Sequence, residues 1–153
     1  MYEERFMKEA LKQAKRAAAD DESPIGAVIV KDGVIIARGR NKREKKKNSL
    51  CHAEILAINK ACRKLDSWRL LGCDMYVTLE PCPMCAGAII QSRIENVYYG
   101  AYDKKAGCAV SKCNLFEAGM FNFDVNVSGG YMETECSQIL SDFFRDLRQR
   151  KAR

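Results

Sequence analysis

The sequence has a single histidine, His52, and no apolar run near the ~20 residues that a membrane-spanning helix needs. One histidine leaves no two-imidazole metal set, and the short apolar runs give no expectation of a membrane segment. Internal repeats, low-complexity tracts and linkers are also missing. With 153 residues, the expectation is one domain over 1–153, long enough to bury a sizeable core. Neither the 47% apolar nor the 30% charged content is extreme, which excludes a disordered chain. The opening Met1-Tyr2-Glu3-Glu4-Arg5 is polar and acidic, unlike a secretory leader, so a cytoplasmic protein is expected.

Cysteine and clustered positive charge are what the chain has in quantity. Eight cysteines without an export signal read as metal ligands or buried thiols rather than as a disulfide scaffold. Cys62 and Cys73 fall in apolar stretches and read as core, since free cysteine is among the most buried residue types. Cys108, Cys113 and Cys136 share no spacing pattern and read as structural. The net charge of +6 is concentrated in two places: residues 38–47 carry seven bases and one acid, and residues 145–153 carry five bases and one acid. The remainder is acidic. Two basic segments on an acidic body suit a polyanionic partner, with a solvated loop and tail as the plainer alternative.

Periodicity places the elements. Tyr2, Phe6, Ala10, Ala14 and Ala18 recur every fourth position and predict a helix over 2–20, ended by Asp20-Asp21-Glu22-Ser23-Pro24. Two strands, 25–30 and 34–37, flank an Asp32-Gly33 hairpin turn and must be antiparallel. The basic segment after them is too polar for core and is expected to be an exposed loop. A helix follows Ser49, then a strand over 74–79, a helix opened by Pro81 and Pro83, and a strand over 94–99. That strand–helix–strand unit implies parallel pairing, so the sheet is mixed. An irregular stretch to Met120, a short strand over 123–127 and a closing helix over 131–150 complete the reading.

The chemistry lies in two helix starts. His52-Ala53-Glu54 opens one, and Pro81-Cys82-Pro83-Met84-Cys85 opens the other thirty residues later. Cys82 and Cys85, three positions apart, share a helical face, and the positive helix end favours their thiolates. With His52 they form a Cys₂His set suited to Zn²⁺, leaving a fourth position for a water acidified toward neutrality. A structural zinc would want a fourth side chain, for which Cys51 is nearest in sequence; a redox Cys-x-x-Cys pair would need neither the histidine nor the glutamate. Glu54 lies ~200° around the helix from His52, yet from the first turn it can reach over the bound water as the proton carrier of hydrolytic deamination. Glu80 reads as a supporting carboxylate of open role.

These motifs are the signature of the zinc-dependent nucleoside and nucleobase deaminases, which the chain resembles. Thr78 to Ala88, Ser92-Arg93-Ile94, Gly100-Ala101-Tyr102-Asp103 and Ser141-Asp142-Phe143-Phe144-Arg145 carry the likeness over nearly the whole chain, toward the bacterial deaminases of tRNA adenosine. The resemblance implies a three-layer α/β/α cytidine-deaminase-like fold with a mixed sheet of about five strands, and one zinc per subunit of a homodimer. It also implies that the wobble adenosine of an arginine tRNA anticodon stem-loop enters the zinc pocket. By the same resemblance Asn41 contacts the target nucleoside, Pro24 is a pocket wall, and Asp103, Asn122, Phe144 and Arg148 hold neighbouring nucleotides. Cys51, Phe123 and Tyr102 depart from the residues relatives often carry there.

Independently of family, aromatic and basic residues side by side suit single-stranded RNA, and Phe143-Phe144-Arg145 with Arg148, Arg150 and Lys151 offer both. Of the two rings, Phe143 is expected in the core and Phe144 against RNA. Two other readings remain open at this point. A small-molecule deaminase of guanine or cytosine type would share the zinc core without needing the basic segments. A non-catalytic zinc-stabilised RNA-binding module would fill the fourth zinc position with cysteine and make Glu54 dispensable.

Overall fold

Alternate residues along each strand face different helices, and this alternation builds the molecule. The computed structural model describes residues 1–117, 119 and 121–152. Ala118 and Met120 of the expected irregular stretch, and Arg153 of the basic tail, lie outside the described residues. In chain order the elements are α1 (Glu4–Ala19), β1 (Gly26–Lys31), β2 (Val34–Arg40), α2 (Arg43–Lys46) and α3 (Ala53–Leu65). Then come β3 (Cys73–Leu79), α4 (Pro83–Gln91), β4 (Asn96–Ala101), a 3₁₀ turn (Leu115–Glu117), β5 (Asn126–Gly129) and α5 (Glu133–Lys151).

The sheet order is β2-β1-β3-β4-β5. β1 pairs antiparallel with β2 and β3, whereas β3–β4 and β4–β5 are parallel, so the sheet is mixed as the strand–helix alternation predicts. Ala27 and Ile29, Met75 and Val77, and Val97 and Tyr99 face α3 and α4, burying Ala53, Ala57, Ile58, Ala61 and Ile89. Val28, Val30, Tyr76 and Tyr98 face the other way, onto Phe6, Met7, Ala10 and Leu11 of α1 and Cys136 of α5. Each Val, Ile, Leu, Met or Phe side chain so buried contributes about 1.5–3 kcal/mol, and each alanine methyl less. The result is the three-layer α/β/α architecture expected from the resemblance.

Close approach positions α3. A Cβ on Gly39 would overlap the Ala53 carbonyl and crowd the Ala57 amide, so β2 lies directly beneath the first turns of the helix that follows His52. A second geometric rule places the site. In a parallel sheet, ligands gather beyond the carboxyl ends of the strands, and β3 here runs straight into the start of α4 through Glu80 and Pro81.

Several boundaries differ from the sequence reading, each for a tertiary reason. Residues 38–47 are not a loop: pairing of Gly26 with Arg40 extends β2, and 43–46 form the single helical turn α2. The strand expected over 123–127 lies at Asn126–Gly129, set by its pairing with β4 and by a side-chain ladder in which Asn126 donates to Asn96 and Asn96 to Asp74. α1 begins at Glu4 and leaves Tyr2 free to stack on Tyr131, while Met132, with φ near +50°, delays α5 to Glu133. Cys73 and Cys136 are buried, and Cys62 is half-buried against the core. Cys108 and Cys113, read as structural, are joined in a disulfide, which their five-residue separation in an irregular stretch did not announce.

Candidate active site

Two helix ends bring the candidate ligands together. His52 is the N-cap residue of α3 and Cys82 that of α4, with Pro83 at the first helical position, where a missing N–H does no harm. Cys85 follows one turn later and is fully buried. The His52 Nδ1 atom lies 3.7 Å from the Cys82 sulfur and 3.6 Å from the Cys85 sulfur. All three donor atoms fall within 4.8 Å of one another. A tetrahedral zinc with bonds of ~2.0–2.3 Å holds its ligands roughly 3.5 Å apart, so the donor set fits that ion in both chemistry and spacing. Among the described residues this is the only such cluster, and Cys51 does not join it.

Electrostatics agree with the donor set. The hydrogen bond from Cys85, with a smaller one from His52, holds the Cys82 thiol down at about 4 against the opposing effect of burial. The same contact with Cys82, together with burial, pushes Cys85 up, and the hydrogen bond to Cys82 raises His52. Glu54 is 4% exposed, and burial lifts its carboxyl to about 7; the nearby Cys82 adds to the rise, while its own amide, His52 and Cys85 oppose it. A carboxyl poised near neutrality is suited to exchange protons in both directions.

The site opens into a cleft of about 740 Å³. His52, Glu54 and Cys82 line it together with four residues expected from the sequence: Asn41, Asp103, Phe144 and Arg148. Pro24 is buried behind Ser23 and Ile25, which form that part of the wall. Arg145 points away, exposed and paired with Asp142 at 2.8 Å, and exposed Asn122 sits in a bend that does not contribute to the wall. Phe144 is 39% exposed while Phe143, edge-on to it, is half-buried. Arg150 is engaged with Asp21 at 3.0 Å rather than free for a ligand, whereas Lys151 reaches the cleft.

Sequence reasoning passed over Lys104 and Lys105, which line the cleft from the loop after β4. Their signal was position: they directly follow a parallel strand whose carboxyl end lies at the same edge as the start of α4. Glu80, left without a role, accepts four backbone amides and the Ser111 hydroxyl of that same loop.

Comparison with known proteins agrees with this geometry. The MafB19-like deaminase family model matches residues 1–148. The tRNA-specific adenosine deaminase of Bacillus subtilis (strain 168) is 52% identical over 149 residues, covering 97% of this chain and 92% of that protein. A structure solved in studies of A-to-I editing by tRNA:A34 deaminases superposes with a TM-score of 0.86 at 45% identity, over 89% of this chain and 99% of the other. A guanine deaminase from Nitrosomonas europaea shares the fold with a TM-score of 0.81 at 25% identity, over 93% of this chain and 84% of that one.

Proposed function

The chain belongs to the MafB19-like deaminase family, and on that premise we propose that it hydrolyses adenosine to inosine at the wobble position of a tRNA anticodon loop. The observation that carries the reading is the convergence of a buried glutamate and a His/Cys/Cys set in one cleft that also holds an exposed phenylalanine and a basic rim. His52, Cys82 and Cys85 would hold one zinc ion per subunit, which when bound would act as a Lewis acid and make water a nucleophile near neutral pH.

Glu54 takes one proton from the attacking water and passes it to the purine ring nitrogen as the oxygen bonds to the amine-bearing carbon. It then carries the second proton from that oxygen to the amine, whose C–N bond breaks to release ammonia and leave the carbonyl of inosine. Asn41, almost fully buried with its Oδ1 accepting the Arg43 amide, has its side-chain NH₂ available for the target nucleoside. Phe144 offers a stacking face for a neighbouring base, and Asp103 and Arg148 hold adjacent nucleotides. Pro24 supports the wall beside the base, while Asn122 and Arg145 contact RNA outside the cleft proper. We read residues 1–153 as one deaminase unit, acting as a cytoplasmic homodimer on an arginine tRNA.

The guanine deaminase likeness favours a second reading, a deaminase of free purine bases. It needs neither the basic rim nor the exposed ring. Incubating the zinc-loaded protein with an adenosine-34 anticodon stem-loop, and separately with adenine, guanine and cytosine, decides between them. Inosine in the stem-loop alone supports tRNA editing; product from a free base alone overturns it.

A further inference from the structure

Two carboxylates that the reaction does not use are withdrawn from solvent: Glu22 is 1% exposed and Glu80 2%. Each accepts its hydrogen bonds from the backbone of a basic wall of the cleft. Glu22 accepts the Glu44 amide at 3.1 Å and the Lys45 amide at 2.7 Å, while Asn41 accepts the Arg43 amide at 3.1 Å. Those are the three unpartnered donors of the first turn of α2, a four-residue helix with no buried residue and no side-chain cap from its own N-cap, Lys42. A turn that short does not persist alone. Glu22 therefore supplies the cap from a distant segment.

Glu80 does the same for a second wall. The stretch from Asp103 to Ser111 has neither helix nor strand. Glu80 gathers it by accepting the amides of Asp103, Ala109, Val110 and Ser111, at 2.8–3.0 Å, together with the Ser111 hydroxyl. Gly107 packs so closely that a Cβ there would overlap the Glu80 carboxyl. A buried carboxylate whose donors all come from one loop is stranded when that loop opens, so the closed form is strongly preferred.

We propose that Glu22 and Glu80 are positioning residues that fix Arg43 on one wall, and Lys104 and Lys105 on the other, to receive the phosphates of the RNA strand entering the cleft. This rests on the tRNA reading above. Cations held in place lose less freedom when they bind, which is what preorganisation gains. The sign of the effect separates this role from simple charge. Glu22→Gln and Glu80→Gln each raise the net charge by one, so Coulomb attraction alone predicts tighter binding of a polyanion. Loss of the clamp predicts weaker binding, because the new amide NH₂ faces donors it cannot accept.

The test measures zinc content, amide hydrogen exchange and anticodon stem-loop affinity for the zinc-loaded wild type, both Gln variants and Gly107→Ala, which displaces the loop with the charge unchanged. The expected result is Kd raised about tenfold, the scale of one lost charge-assisted hydrogen bond, with zinc content retained. Faster exchange should be confined to 44–45 in the Glu22 variant and to 103 and 109–111 in the other two, with α3 and α4 still protected. Unchanged exchange at those amides, or faster exchange with equal or tighter RNA binding, overturns the proposal. Failure of the wild type to bind any stem-loop removes the tRNA reading instead, and the exchange data distinguish the two failures.

Discussion

Tyr2 and Tyr131 stack with ring centroids 4.0 Å apart, fastening the start of the chain to the entry of α5. Tyr76 and Tyr98 close around the pair, and burial is the main cause that pushes Tyr2 and Tyr76 up to about 12 from the usual tyrosine value near 10. A raised acid contributes stability that is complete below its unfolded pKa and lost as pH climbs through the folded one. The fold should therefore hold to pH 10 and weaken between 10 and 12. Tyrosine ionisation followed by ultraviolet absorbance, alongside circular dichroism, should show the two changes together; ionisation of these rings near 10 with the fold intact would contradict the clamp.

Glu54→Gln should cut inosine formation by about 10²–10⁴-fold, the range for loss of a general acid–base group. Since burial disfavours its charge, the variant should be as stable as the parent or more so, with zinc content unaltered. Single-turnover assays and thermal melts check the two halves separately, and undiminished turnover removes Glu54 from the mechanism.

Gly39→Ala should lower stability by roughly 1–3 kcal/mol, the usual cost of overpacking, because the added methyl meets α3 backbone rather than a yielding side chain. Denaturant unfolding measures it. Turnover should fall as well, since the same displacement moves His52 and Glu54.

Cys82→Ser should lose zinc, whereas Cys51→Ser should retain it at one ion per chain, because Cys51 stands apart from the three converging donors. Elemental analysis of the purified variants gives the answer. Zinc lost on replacing Cys51 would mean a fourth sulfur and a structural ion.

Phe144→Ala should weaken stem-loop binding by the ~1–3 kcal/mol of one stacked base, with zinc content constant. For the parent protein, log affinity should fall linearly as log salt rises, as phosphate contacts demand. Fluorescence anisotropy titrations at several ionic strengths test both statements, and a salt-independent affinity would count against the basic rim.

The layers and the reactive cluster could be read from the sequence because both are local. Alternation at Ala27, Ile29, Met75 and Val77 marks faces of a sheet, and a three-residue cysteine spacing at a helix start fixes two ligands relative to each other. What could not be read depends on distant partners. Nothing near residues 43–46 announces a helical turn, because its cap comes from Glu22, two elements earlier. Lys104 and Lys105 look like ordinary surface residues until β4 is placed beside β3, and Cys108 finds Cys113 only once the intervening residues are drawn onto Glu80. Arg150, grouped in sequence with RNA-facing cations, is claimed by Asp21 across the fold.

None of the residues of α2 is buried, and Lys104, Lys105 and Ala106 are exposed. The parts of the cleft that meet a ligand are thus mounted on the architecture without contributing to its apolar interior. Drift in those few positions can retune which nucleic acids are admitted while the sheet and its flanking helices stay untouched. Selectivity in this molecule can change faster than its shape.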